Sequence, residues 1–420
     1  MTYSSNISHS GRVVISCSEL IKCYKLPTDV VSPISNRDIY ITLLGSHSPV
    51  IYSIVDSQGV IVKCVQNWLR YLTKSIGVTI TDGSVDQYGR SVVYFVRWIE
   101  EEKYYPNLSV DEVLVIITRQ DIRAWVEYMT QLNLSPSTIR TREVCVKQLL
   151  DWLTTIDGGN VRLQENSPYG RDHNNKLKYV SKSVRSKSPK FIDTSTIISV
   201  LSKFYNECER CMFHTQYDTG LRISEIIELR KRDLPDLDLY PTTAEFIPMV
   251  VQGMKGRGGQ PKERITLISR AVLNRIKRYH NTIDYKLSAD WDMIDPDKPV
   301  FLTVNRYSWG YRNAKKQFDS AVSRSIAPEG FTTHWLRHGT AFSVLRSSIG
   351  RGYEDRILTV QQMLGHAHLS TTEVYTQISP ALLADLTKKG HEIDRADEAH
   401  NIRKATFLPP LKHKERRGHK

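Results

Sequence analysis

Three short segments of the sequence contain residue types that can act on a phosphate group. Arg222 and Arg337 carry guanidinium groups, which can hold a phosphate through two parallel hydrogen bonds. Tyr375 carries a hydroxyl that can serve as a nucleophile, and histidines in the second and third segments can transfer protons. The segments are TGLRISEIIELRKRDL (219–234), TTHWLRHGTAF (332–342) and LGHAHLSTTEVYTQ (364–377).

Taken alone, each segment also has a plainer interpretation. Arg222 could pair on the surface with a nearby glutamate such as Glu225, and Tyr375 could be a core aromatic. His334 and His338 lie one helical turn apart, which suits a zinc pair. No glutamate follows His334 directly, however, and no third ligand is evident, so we expect no metal. Together the segments supply a nucleophile, cations for developing charge and proton-transfer groups, which is what attack on a phosphodiester requires.

The elements that must position these residues are mainly helices. Apolar residues recur every three or four positions, and the pattern returns after Asp193. Phe246–Gln252 and Arg264–Ile268 are instead strand-like and flank the glycine-rich segment VQGMKGRGGQPKER, which predicts a hairpin. We therefore expect a mainly α chain with a small antiparallel β-sheet in its C-terminal half. Four N-terminal helices, forming a compact bundle, are predicted at 61–72, 92–99, 122–132 and 144–153.

A chain of 420 residues is too long for one typical core, so we expect several domains. The basic residues of the predicted linker suit contact with phosphates, although a solvated tether has the same composition. The expected division is an extension of unknown role (1–55), a helical domain (56–155), a basic linker (156–190), the domain with the three segments (191–390) and a basic tail (391–420).

Composition favours a soluble protein with an anionic partner. Lys and Arg number 58 against 45 acidic residues, giving a formal charge of +13, although a lysine-rich solvated surface would also account for this. No run approaches the ~20 apolar residues of a membrane span and no secretory signal is recognisable, so a cytoplasmic location is expected. The six scattered cysteines indicate reduced thiols, and Cys208 and Cys211 are interpreted as packing residues.

The order of the reactive residues resembles the catalytic signature of the tyrosine recombinase (phage integrase) family. The resemblance covers residues 190–390 strongly and 60–155 more weakly. It implies a helical core-binding domain followed by a tyrosine recombinase catalytic domain. The matching residues, in order, are Arg222, a lysine on the hairpin, His334 and Arg337, His366, and Tyr375.

This resemblance implies a role for each matching residue. Tyr375 would attack DNA, leaving a 3′-phosphotyrosine and a free 5′ hydroxyl, while Arg222 and Arg337 would clamp the phosphate and stabilise its pentavalent transition state. Lys255, or Lys262 as the second choice, would protonate the leaving 5′ oxygen.

Other residues would support the reaction. His334 and His366 would form hydrogen bonds with the phosphate or assist proton movement. Glu225 would support the site, and His338 would lie behind the residues that contact the phosphate. Basic residues of the last bundle helix and the linker are the expected DNA contacts: Arg140, Arg142, Lys147, Lys182, Arg185 and Lys187.

The resemblance further implies site-specific recombination that integrates, excises or resolves a mobile DNA element near the nucleoid. Four protomers would act on two duplex sites with inverted repeats, assisted by an accessory DNA-bending or directionality protein and without cofactor or metal. Three alternatives stay open: an enzyme similar to type IB topoisomerases, a hairpin-forming resolvase and a catalytically inactive DNA-binding relative. Residues 1–55 and those beyond about 390 exceed the minimal family plan.

Overall fold

The chain divides into an N-terminal unit, mainly Met1–Arg185, and a C-terminal unit, Ser186–Gly256 with Gln260–Lys420. Among the helices that the structure describes, none is long and apolar enough to cross a membrane. The structure, a computed structural model, describes residues 19–23, 51–74, 82–101, 105–169, 179–182, 190–253, 262–288, 290–366, 372 and 394–409.

The N-terminal unit is a helical bundle with a two-stranded antiparallel sheet, in which Glu19 pairs with Val55. Its helices begin at recognisable signals. Ser109 and Glu112 form a capping box at one helix, and Ser135 caps another whose first residue is Pro136. The elements are β1 (Glu19–Cys23), β2 (Ile51–Val55), α1 (Lys63–Lys74), α2 (Asp82–Glu101), α3 (Val110–Ile116), α4 (Arg119–Gln131) and α5 (Pro136–Trp152).

Aromatic side chains fill the core of this bundle. Trp68, Phe95 and Trp125 are fully buried, and the rings of Phe95 and Trp125 meet edge to face with centroids 4.6 Å apart. The predicted amphipathic helices are present, and the short α3 joins them. Ile54 of β2 is also fully buried in this core, so part of the predicted N-terminal extension belongs to the bundle.

Part of the predicted linker also packs into the N-terminal unit. Tyr169 is fully buried, and the Glu143 carboxylate on α5 accepts hydrogen bonds from the backbone N–H groups of Val180, at 2.6 Å, and Ser181, at 3.0 Å. Because buried N–H groups need acceptors, Glu143 fixes this segment to the bundle. Residues 156–169 and 179–182 are therefore not a free tether, while the basic stretches 170–178 and 183–189 lie outside the described residues.

The C-terminal unit surrounds one antiparallel hairpin with helices, as predicted, and the hairpin pairs Phe246 with Ser269 and Gly253 with Lys262. Short 3₁₀ turns occur at Gln164–Asn166 in the N-terminal unit and at Lys231–Asp233 and Leu237–Leu239 here. The elements are α6 (Thr194–Ser202), α7 (Glu207–Thr219), α8 (Ile223–Glu228), β3 (Phe246–Gly253), β4 (Lys262–Ser269), α9 (Arg270–His280), α10 (Ile283–Lys286), α11 (Tyr311–Ser323), α12 (Thr333–Leu345), α13 (Tyr353–Leu364) and α14 (Arg395–Thr406).

Helix α14 falls in the region expected to be a basic tail, yet it is part of the C-terminal core. Ile402 is fully buried, and the buried Glu398 carboxylate accepts bonds from three hydroxyls. The donors are Thr194 at 2.5 Å, Tyr217 at 2.9 Å and Ser343 at 2.6 Å, on α6, α7 and α12. The sequence analysis missed α14 because its short apolar face lies among charged residues. Residues 391–393 and 410–420 of the predicted tail lie outside the described residues.

The bundle core predicts a large loss of stability on truncation of its central tryptophan. We expect Trp125→Ala to lower the free energy of unfolding by about 3–5 kcal/mol, because it removes a buried ring and leaves a cavity. Leu132→Ala is the control at the end of the same helix, where the side chain is 53% exposed, and should change stability by less than about 0.5 kcal/mol. Urea titration followed by circular dichroism measures both, and equal losses would contradict this description of the core.

Candidate active site

Helices α7 and α8 meet at a turn that places Arg222. Gly220 ends α7 in the left-handed conformation, with φ of +69°, and a Cβ at this position would lie 2.8 Å from the Leu364 side chain. Arg222 then occupies the N-cap of α8, and its backbone N–H donates to the Glu225 carboxylate at 2.7 Å. The chain reversal therefore fixes the backbone from which the Arg222 side chain extends.

The Glu225 carboxylate is shared by two arginines. Arg222 Nη1 donates to Glu225 Oε1 at 2.8 Å, while Arg264 Nη1 and Nη2 donate to the two carboxylate oxygens, each at 2.8 Å. Burial raises the pKa of the Glu225 carboxyl, but the hydrogen bonds and charge of Arg264, together with Arg222, outweigh burial and leave that pKa lowered. Glu225 is therefore ionised at neutral pH and holds Arg222 in place.

Arg337 lies on the second turn of α12 and is 2% exposed. Its Nη1 donates to the Gly220 carbonyl oxygen at 2.5 Å, and its Nη2 donates to the Leu364 carbonyl oxygen. These carbonyls end α7 and α13, where the helix dipoles place partial negative charge. The guanidinium thus joins the ends of two helices.

Helix α13 ends directly before His366. Gly365 caps it in the left-handed conformation, with φ of +61°, and His366 Nδ1 lies 2.9 Å from the Thr372 hydroxyl oxygen. Burial lowers the pKa of His366 to about 4, and the charges of Arg337 and Arg222 add to this effect. His366 is therefore neutral at pH 7 and close to both guanidinium groups.

The two histidines of α12 share this environment. The rings of His334 and His338 meet edge to face with centroids 4.5 Å apart. Burial, then Arg337 and Arg222, lower the pKa of His334, and burial followed by His334, Arg337 and His366 lowers that of His338 to about 4. Within the described residues, no group of three or more His, Cys, Asp or Glu side chains is arranged to hold a metal ion.

The fold thus brings together most of the residues that the sequence singled out. The residues gather around α12 and the ends of α7 and α13, with Glu225 paired to Arg222: Arg222, His334, Arg337, His338 and His366. Tyr375 and Lys255 lie outside the described residues, as does the side chain of Lys262. The described part of the site contains three arginines and one carboxylate, which favours an anionic ligand.

The expected DNA contacts of the N-terminal unit differ in their surroundings. Arg140 lies over the Tyr179 ring at 3.5 Å and donates to the Ser181 carbonyl at 3.1 Å, while Arg142 lies over the Tyr94 ring at 3.5 Å. Lys182 is exposed. Lys147 is buried and donates to Asp151, so it does not offer its charge to solvent. Arg185 and Lys187 lie outside the described residues.

Two partners in the site were not predicted from the sequence. Thr372 is fully buried beside His366, and no pattern in the sequence indicates it. Arg264 did leave a signal, because strand alternation places it on the same face as Thr266 and Ile268, which are fully buried. An arginine at an inward strand position requires a charged or polar partner, and here that partner is Glu225.

Several known proteins are similar to this chain. Residues 193–381 match the model of the phage integrase family. Tyrosine recombinase XerD of Rickettsia bellii is 24% identical over 71% of this chain and 89% of its own length. Tyrosine recombinase XerC of Chlamydia pneumoniae is 30% identical over 46% of this chain and 54% of its own length. Residues 193–381 therefore carry a phage integrase family domain, and the similar proteins support assignment of the chain to the class of tyrosine site-specific recombinases.

Solved structures share the fold. The XerH site-specific recombinase in a post-cleavage complex with palindromic difH substrate matches with a TM-score of 0.54 and 15% identity, covering 77% of this chain and 94% of that chain. A lambda integrase dimer bound to a COC′ core site matches with a TM-score of 0.52 and 14% identity, covering 74% and 94%. The mainly helical catalytic fold is therefore the fold of tyrosine recombinases.

The lowered histidine pKa values predict that acid destabilises the protein. The pKa of His338 is 6.5 in the unfolded chain and about 4 in the folded chain, so between these values the unfolded chain binds the extra proton. The free energy of unfolding should therefore fall as pH falls from 6.5 towards 4, with a slope of up to about 1.4 kcal/mol per pH unit for each such histidine. Urea titrations at several pH values between about 4.5 and 7 measure this slope.

Substitution identifies the source of this pH dependence. His338→Gln should flatten the slope because the substituted side chain does not titrate. Asn281→Ala, at the C-cap of α9, removes no titratable group and should leave the slope unchanged. An unaltered slope in His338→Gln would contradict the assignment.

Proposed function

We propose that this recombinase cleaves and rejoins duplex DNA through a covalent 3′-phosphotyrosine bond to Tyr375, in the integration, excision or resolution of DNA. The observation that carries the proposal is the gathering of Arg222 and Arg337 around His334 and His366, whose pKa values both guanidinium charges lower. Such a concentration of positive charge is stabilised by a phosphate and suits the extra negative charge of a pentavalent transition state.

The two arginines have different roles in this proposal. The Arg222 side chain is 34% exposed and meets the phosphate from the solvent side, oriented by Glu225. Arg337, held by the helix-end carbonyls, adds positive charge from the buried side. Because both groups are fixed before DNA binds, little reorganisation is needed when charge develops on the phosphate oxygens.

In this proposal, a neutral histidine and a lysine carry out the proton transfers. His366 is neutral at pH 7, so it can accept the Tyr375 proton or donate a hydrogen bond to a phosphate oxygen. Lys255 protonates the departing 5′ oxygen. The P–O bond to that oxygen breaks as the bond to the tyrosine oxygen forms, so the phosphotyrosine conserves the ester energy. A 5′ hydroxyl from a second strand then displaces Tyr375 and completes rejoining.

DNA is the proposed partner, in line with the similar XerH structure, which contains difH substrate, and the lambda integrase structure, which contains a COC′ core site. The +13 formal charge supports binding along the duplex backbone. Four protomers on two inverted-repeat sites, with an accessory DNA-bending protein, form the proposed working assembly.

The nucleophile is tested by trapping the covalent adduct. Wild-type protein is mixed with a random-sequence library of nicked duplexes, in which loss of the short cleaved fragment prevents rejoining, and DNA that stays attached in SDS is sequenced. Wild-type protein should enrich one sequence, and Tyr375→Phe should capture none because phenylalanine has no hydroxyl. Tyr353→Phe on α13 is the matched control and should capture DNA as wild-type does. Adducts formed by Tyr375→Phe would refute the proposal.

The same duplex then distinguishes recombination from relaxation. Exchange of strands between two sites is expected, whereas relaxation of one supercoiled plasmid without exchange would favour a topoisomerase-like enzyme.

Salt dependence tests the contribution of Lys182 to DNA binding. If its exposed ammonium contacts a phosphate, Lys182→Ala should reduce the slope of log affinity against log salt concentration by about 1. Lys147→Met is the control, because the Lys147 ammonium is buried against Asp151 and the slope should not change. Fluorescence anisotropy between about 50 and 200 mM salt measures both slopes, and an unchanged slope for Lys182→Ala would remove it from the interface.

A further inference from the structure

We propose that Arg264 is a positioning residue that keeps the Arg222 guanidinium directed at the scissile phosphate. It also links the position of Arg222 to the positions of the hairpin and of His366. The inference rests on the proposed function, because it assigns to Arg264 a part in the same reaction. Arg264 lies on β4 and is 6% exposed. It was not among the reactive residues that the sequence indicated.

The first step of the argument is the division of Glu225 between two partners. Arg264 donates to both Glu225 oxygens, at 2.8 Å each, and Arg222 shares one of these oxygens through a single 2.8 Å bond. Without the paired bonds from Arg264, Glu225 can turn towards Arg222 and form the two-bond pair itself. Arg222 would then direct more of its donors and its charge at Glu225 and less at a phosphate.

The second step is the contact of Arg264 with α13. Its Nε donates to the Met363 carbonyl oxygen at 2.9 Å, next to the Leu364 carbonyl that accepts from Arg337. A Cβ on Gly365 would lie 2.6 Å from Arg264 Cδ, so the turn that leads to His366 is built against the Arg264 side chain. One side chain therefore contacts the supports of Arg222, Arg337 and His366.

The third step concerns the hairpin. Arg264 pairs in register with Val251 on β3, close to the segment that carries Lys255. Because the guanidinium is fixed to Glu225 and Met363, the strand that follows the loop has a fixed position relative to Arg222. Arg264 thus links the position of β4 to that of Arg222; it acts on the reaction through Arg222 and does not touch the substrate.

The test compares Arg264→Lys with Arg222→Lys on two scissile linkages. Lysine keeps the charge beside buried Glu225 but cannot form the paired bonds. The duplex is the one recovered by covalent capture, with either an ordinary phosphodiester or a neutral methylphosphonate at the cleaved position. In one methylphosphonate diastereomer, a methyl replaces the oxygen that Arg222 stabilises, so the aim of Arg222 no longer matters.

On the phosphodiester, we expect single-turnover cleavage to fall about 10²–10³-fold for Arg222→Lys and about 10–100-fold for Arg264→Lys. On the diastereomer that rescues Arg222→Lys, Arg264→Lys should recover to within about threefold of wild type on the same linkage. A defect that arises only from misfolding would not be relieved by a change in the DNA.

Arg275→Lys is the matched control. Arg275 is also fully buried and forms two hydrogen bonds with one carboxylate, that of Glu207, at 2.7 and 3.0 Å. Any slowing in this variant should be the same on both linkages. Circular dichroism and DNA affinity within about threefold of wild type confirm that the variants are folded.

Two results would overturn the inference: cleavage of the phosphodiester by Arg264→Lys at the wild-type rate, or an equal defect of this variant on both linkages. Failure of the proposed function is a separate result, because wild-type protein would then form no Tyr375-dependent adduct. With wild-type protein active, the linkage comparison reports on Arg264 alone.

Discussion

The site depends on one buried cation, the Arg337 guanidinium, which is held by the carbonyl groups at two helix ends. Arg337 donates to the Gly220 and Leu364 carbonyls, so its charge is balanced by the negative ends of α7 and α13. Partial charges of this kind stabilise a guanidinium without neutralising it. Burial, together with the positive charge of Arg337 and Arg222, lowers the pKa of His334 and His366, and this positive charge favours binding of an anion. The hydrogen bonds of Arg337 therefore join the ends of two helices and also place positive charge in the site.

Glycine makes these helix ends compatible with one another. Gly220 and Gly365 both adopt left-handed backbone conformations, at φ of +69° and +61°, and both approach a side chain closely. A Cβ at either position would displace the Leu364 or the Arg264 side chain. The site is thus positioned by turns as much as by helices, and its arginines and histidines extend from the ends of rigid elements.

Much of this arrangement was predictable from the sequence. Helical periodicity and the glycine-rich hairpin indicated the elements, and the order of Arg222, His334, Arg337 and His366 indicated which residues converge. Local patterns did not indicate contacts between distant segments. The packing of Tyr169 into the bundle, the bond between Thr372 and His366, and the burial of Lys147 all depend on tertiary neighbours.

Some charged side chains that the sequence suggests are exposed are in fact buried, because they have a partner from a distant part of the chain. Arg264, Glu398 and Lys147 resemble surface residues in the sequence, and each is buried with a partner in the structure. Helix α14 was missed for this reason, since its two buried apolar residues, Ala399 and Ile402, lie among many polar ones.

The hydrogen bonds of Glu398 require that α14 is synthesised before the C-terminal unit can assemble completely. Glu398 joins α14, the last described helix, to Thr194 on α6, Tyr217 on α7 and Ser343 on α12. A nascent chain that has not yet emerged from the ribosome as far as α14 lacks the Glu398 acceptor for these three hydroxyls, of which those of Tyr217 and Ser343 are buried. Gly220 ends α7 and Arg337 lies on α12, so the surroundings of Arg337 gain their Glu398 support only after α14 has been synthesised.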